Sequence, residues 1–282
     1  RKKIGNKQQI ALTYNNLGST YWKMNAYDKA LKNYLESLDL RTELGDKKGI
    51  ASSYNNIGTL YQNIHNYKQA LEYYQKALTI KKELGNTKEI AYSLHIMGNA
   101  YLHLDEYDQA LEFYQQALIR RKSIGDTYYI AQSLHNMGLT YEKMGNHHKA
   151  LDYLNQSLEL RKSIQNYRGV CSVLNDLGNY YRNQKQKQKA LNAFLQVVKI
   201  GKEQGDKFYT SLCSRKAGEI YLEREQYNQA VSYLHYSLDL GYEIENPELI
   251  KSAYRELYHL FRQQKNHKKA LDYYIQFSHY QD

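Results

Sequence analysis

A chain of 282 residues with a single proline, Pro247, and 31 tyrosines suits long unbroken helices and argues against a strand-rich fold. Its two thiols, Cys171 and Cys213, lack CxxC spacing, so neither a zinc site nor a disulfide framework is indicated, and both read as small buried side chains. The formal charge of +10 favours acidic partners. No apolar run approaches the roughly 20 residues that span a bilayer, so no membrane contact by this chain is expected.

The chain opens on RKKIGN, and the same phase returns as RTELGD at 41–46, KKELGN at 81–86 and RKSIGD at 121–126. Residues 1–5 are therefore predicted to be the tail of a preceding helix, which makes the chain an excerpt of a longer array. Ala then recurs every forty residues from Ala30 to Ala270, and Gly recurs from Gly18 to Gly218 with an aromatic three residues later. This period divides one domain, 1–282, into seven units at about 6–45, 46–85, 86–125, 126–165, 166–205, 206–245 and 246–282.

Inside a unit the apolar residues keep helical spacing, as in Tyr54, Ile57, Tyr61 and Ile64, then Tyr67, Leu71, Tyr74 and Leu78. Two amphipathic helices and a tight turn are predicted per unit. Between units, Gly45, Gly85, Gly125 and Gly205 suit a left-handed helix stop. Asp46, Asn86, Asp126, Asn166, Asp206 and Asn246 can each cap the helix that follows, as Asn6 would after Gly5. Gln165 and Glu245 stand where Gly is expected, so a different turn is predicted there. In the seventh unit Tyr258 replaces the first-helix Gly, a departure that fits a terminal unit with one unpartnered face.

The pattern Tyr54, Ile57, Gly58, Tyr61, Ala70, Tyr74 and Ala77 resembles the tetratricopeptide repeat (TPR) family over the whole chain, in a forty-residue, long-helix form. The resemblance implies an all-α, right-handed superhelical solenoid whose first helices line a concave, peptide-binding groove. Carried onto this chain, the groove positions are Asn15, Asn55, His95, His135, Asn175, Arg215 and Arg255. Asn16, Asn56 and Asn136 lie one residue on, and Asn99 and Asn179 one turn further. Trp22, the only Trp, faces the same way near the start.

An Asn amide carries donors and an acceptor that complement a peptide group, so regularly spaced amides can hold an extended backbone. Arg215 and Arg255 add carboxylate or phosphate recognition. The competing reading has the amides bonding across to the next repeat, the Arg residues ion-paired, and Trp22 packed. No third ligand converges on His95 and His135, so no metal is expected, and no cofactor motif is present. GxSxG, HExxH and P-loop signatures are absent, which points away from an enzyme.

The leading expectation is a protein- or peptide-binding scaffold, its partner a peptide segment or protein of acidic character, in a larger bacterial signalling protein. A cytoplasmic setting is expected, or an extracytoplasmic one if a signal or anchor has been removed. A peptide-pheromone receptor-type regulator is one alternative. Another is a nucleic-acid-associated protein using the basic run Arg182–Lys189, around which eight Lys or Arg face Asp176 alone over 161–200. That run contains no aromatic for stacking bases, so solvation is the default and nucleic acid is not the expected partner.

Overall fold

The computed structural model describes residues 2–280, and side chains from residue 6 onward. It is all α. The described residues form seven successive helix pairs: α1 (Lys2–Lys23) with α2 (Tyr27–Glu43), α3 (Lys47–Asn63) with α4 (Tyr67–Glu83), and α5 (Thr87–His103) with α6 (Tyr107–Ser123). Then follow α7 (Thr127–Lys143) with α8 (His147–Ser163), α9 (Tyr167–Asn183) with α10 (Lys187–Gln204), α11 (Lys207–Glu223) with α12 (Tyr227–Glu243), and α13 (Pro247–Gln263) with α14 (His267–Ser278).

The small residues set how closely a pair packs. A Cβ added at Gly58 would lie 2.6 Å from the Tyr74 ring, and Gly18 and Gly98 meet Tyr34 and Tyr114 in the same way. Ala30, Ala70 and Ala110 are fully buried beside them. With no side chain on the first helix, the ring of the second lies flat against its backbone, and Tyr74 is 1% exposed. In the seventh pair Tyr258 fills that space instead. Its ring sits 5.4 Å from Tyr274, which is left 47% exposed.

Most connections end their helix in one way. After α2, Gly45 N–H donates to the Thr42 carbonyl and Asp46 N–H to the Arg41 carbonyl, with Gly45 at φ +66°. This double bond is the Schellman arrangement. The turn expected to differ at Gln165 does not: Gln165 takes φ +53° and repeats both bonds, to Lys162 and Arg161, and Glu245 does the same at φ +50°. Satisfying two buried-end carbonyls outweighs the roughly 1 kcal/mol a side chain costs in this conformation. The expected caps form, with Asp46, Asn86, Asp126, Asn166, Asp206 and Asn246 each accepting an N–H three residues on.

One expected boundary is not formed. The helix α1 runs unbroken through Gly5 and Asn6, so the stop and restart predicted there are replaced by continuous helix. A lone Gly costs a helix only about 1 kcal/mol, so the helix carries on through it.

The chain divides into two compact units, Arg1–Tyr153 and Leu154–Asp282. Within the first, α4, α5 and α6 share a core of Tyr74, Leu78, Leu94 and Met97, which joins one pair to the next. Within the second, Leu234, Leu238, Tyr254, Leu257 and Leu260 do the same for α12 and α13. Within a unit, second helices such as α4 and α12 thus pack on their own partner and on the following first helix, while first helices such as α5 and α7, or α11 and α13, also touch directly.

The turns supply a clean test, because nothing lies within 4 Å of a Cβ placed on Gly45. Gly45→Ala is expected to lower stability by about 1 kcal/mol through backbone strain alone, and Gln165→Gly to raise it by a similar amount. Urea unfolding followed by circular dichroism measures both.

Candidate functional site

The polar ladder lies on the first helices, and much of it is bonded across neighbouring pairs. In the first unit Asn56 Nδ2 donates to Asn15 Oδ1 at 2.8 Å, joining α3 to α1. Asn136 Nδ2 donates to Asn99 Oδ1 at 2.8 Å, joining α7 to α5, and Tyr114 Oη donates to the same oxygen. These contacts are the cross-repeat ties that compete with ligand binding. Asn16 remains exposed, and the buried Oδ1 of Asn55 has no hydrogen-bond partner.

His95 is a packing residue. It is 3% exposed, with Arg121 Nη1 3.2 Å from Nδ1 and the Asn136 amide 3.3 Å from Nε2. Burial, and then the positive charge of Arg121, lower its pKa to about 3, so the ring is neutral at pH 7. His135 is likewise buried, in α7. Among the described residues no three His, Cys, Asp or Glu side chains converge to hold a metal.

Trp22 is half-buried. It packs on the cluster of Ala30, Tyr34, Ile57 and Leu60, so its neighbours belong to the pairs α1–α2 and α3–α4. It also opens onto a cavity of about 240 Å³ shared with Ser19, Lys23, Tyr34, Asn56 and Thr59. Two expected site residues, Trp22 and Asn56, meet there.

The second unit uses charge where the first uses amides. Lys216 Nζ donates to Asn175 Oδ1 at 2.7 Å and to Asn179 Oδ1 at 2.8 Å, tying α11 to α9. Burial is the main cause that brings its pKa down to about 8. Arg215 pairs with Glu219, which also receives Arg182, while Arg182 and Lys187 both reach Glu223. The basic run 182–189 is thereby partly neutralised within the chain. Arg255 is half-exposed and donates to its neighbour Glu256, at 2.9 Å. The thiols are buried as expected, and burial pushes Cys171 up to about 11 and Cys213 to about 12.

One recurrent feature was not read from the sequence. Under the long turns Arg41, Lys81 and Arg121 are buried on the second helices and donate to Ser53, Ser93 and Ser133 on the next first helix. Both series keep the forty-residue spacing, which was the available signal.

Helical hairpins that stack through small residues and carry a polar row on their first helices define a repeat scaffold. The family model described as tetratricopeptide repeat matches residues 9–83 and 89–163, and a second of the same description matches 170–203. The chain belongs to the tetratricopeptide-repeat family. Residues 218–276 match a model described as anaphase-promoting complex subunit 5. Among curated proteins none matches.

Solved structures share the fold at low identity. A STAND protein with a tetratricopeptide repeat sensor from Pyrococcus horikoshii aligns at TM-score 0.75 and 14% identity, over 96% of this chain and 43% of that one. Aspartyl phosphate phosphatase F from Bacillus subtilis aligns at 0.74 and 13%, over 99% and 72%. A Rap protein complexed with competence and sporulation factor aligns at 0.63 and 18%, over 95% and 73%.

His95 makes the fold acid-sensitive. Its folded pKa of about 3 lies below the ordinary value of 6.5, so in that window the unfolded chain binds a proton that the folded chain does not. Stability contributed by His95 is full above pH 6.5 and falls as the pH drops, by about 1.4 kcal/mol per unit. His95→Asn, the residue at this phase in three other repeats, is expected to flatten the acid limb of stability against pH, measured by urea unfolding between pH 7 and 4.5.

Proposed function

We propose that this chain is a non-enzymatic scaffold that holds a peptide segment or protein along its first helices, as the interaction or sensory region of a larger bacterial signalling protein. The carrying observation is the cavity where Trp22 and Asn56 meet, on first helices that also hold the exposed Asn16 and the buried, unpartnered Oδ1 of Asn55. An aromatic wall next to the Asn56 amide, whose Oδ1 can still accept while Nδ2 is tied to Asn15, suits a peptide backbone with one apolar side chain inserted.

Family membership supports a binding role. Among proteins of this fold, one carries the repeat as a sensor and another is complexed with competence and sporulation factor. The net charge of +10 and the half-exposed Arg255 favour an acidic partner. Among the described residues no helix is long and apolar enough to cross a membrane. A nucleic-acid role for the basic run is weakened by its ion pairs to Glu219 and Glu223.

Because Trp22 is the only Trp, its fluorescence reports occupancy of the cavity. Selection from a library of acidic peptides is expected to yield binders that shift Trp22 emission, with affinity falling at least tenfold in Asn56→Ala and in Asn55→Ala. Binders that leave the emission unmoved, or bind both folded variants unchanged, refute this placement.

A further inference from the structure

Two cavities open in the first unit along the edge formed by the long turns, of about 260 Å³ and about 220 Å³. They are the same place one repeat apart. Shifted by forty residues, Lys48 becomes Lys88 at the rim, Lys81 becomes Arg121 at the floor, and Leu84 becomes Ile124 on the wall. Three exchanges set the two apart: Glu89 becomes Tyr129, Ser52 becomes Tyr92, and Asn86 becomes Asp126, so the second cavity gains two rings and carries its acid at the helix cap.

In the first cavity the buried Lys81 is neutralised by Glu89, 3.2 Å away. In the second, the guanidinium of Arg121 donates to His95 Nδ1, the Tyr129 carbonyl and Ser133 Oγ, all neutral, and makes no ion pair among the described residues. Its ordinary acid partner is otherwise engaged: Asp126 accepts from the Tyr129 N–H and lies 3.8 Å from Lys88. Glu89 also borders this cavity but serves Lys81. Arg121 is thus a 2% exposed positive charge that lines an open cavity without a carboxylate in ion-pair contact: Asp126, also on the lining, acts on it from beyond that distance, and an entering anion supplies the missing contact.

The walls favour a flat body. The Tyr129 ring lies 5.1 Å from the guanidinium, and Tyr92 and Ile124 are 45% and 42% exposed at the cavity. We propose that this second cavity binds a small aromatic oxyanion, its carboxylate or phosphate facing Arg121 and Lys88 and its ring lying against Tyr92, Tyr129 and Ile124. The site is separate from the Trp22 cavity, and neither depends on the other.

The probes are phenyl phosphate and benzoate, with inorganic phosphate as the control, titrated into the chain by calorimetry. At least one ring anion is expected to saturate a single site and to bind at least tenfold more tightly than inorganic phosphate. Tyr129→Glu, which restores the acid found in the neighbouring cavity, is expected to weaken binding at least tenfold. Lys88→Glu, an exposed rim change that leaves folding alone, is expected to do likewise. No saturation in the unaltered chain, inorganic phosphate binding as tightly as both ring anions, or unchanged binding in folded Lys88→Glu overturns the proposal.

Discussion

The close approach of two helix backbones at a glycine is the contact on which the pairs that carry that glycine rest. At Gly18, Gly58 and Gly98 the aromatic ring of the second helix occupies the space a methyl group would take, and the ring hydroxyl then reaches Ser19, Gln62 or Asn99 on the first helix. The ring therefore does two things: it fills the interior of the pair and it fixes a polar side chain of the ladder. Burial raises Tyr74 to about 12, so that hydroxyl stays protonated and remains a donor at any physiological pH.

That coupling separates the two units chemically. In the second unit Phe194 and Leu234 stand in the place of the tyrosines and offer no hydroxyl. The ladder residues there are held by charge, Asn175 and Asn179 by Lys216, and Glu219 by Arg182 and Arg215. Amide ties have no net charge, whereas Lys216 and Arg215 are buried cations whose pKa values burial lowers. The ladder of the second unit is accordingly tied to the groups around its charges in a way the amide pairs of the first are not.

Helix pairs, caps and the small-residue packing were legible because each depends on local backbone geometry or on a period of forty. The turns at Gln165 and Glu245 were misread, since a residue's tolerance of positive φ depends on the carbonyls it satisfies, which composition does not display. The division of the ladder was not legible either. Whether Asn56 meets Asn15 or a ligand is decided by the distance between α1 and α3, and nothing in the residue type encodes it. The buried cations Arg41, Lys81 and Arg121 were visible as a series, yet a basic residue in a last helical turn ordinarily reads as solvated.

The ties between neighbouring pairs of the first unit are short-range in sequence: Arg41 reaches Ser53, Lys81 reaches Ser93, and Asn15 meets Asn56. None of these bonds bridges more than one neighbouring hairpin, so force applied along the chain has no long-range clasp to break at once. A pull would peel hairpins off singly and let each re-dock when released, giving the array the behaviour of a soft spring with steps one hairpin long.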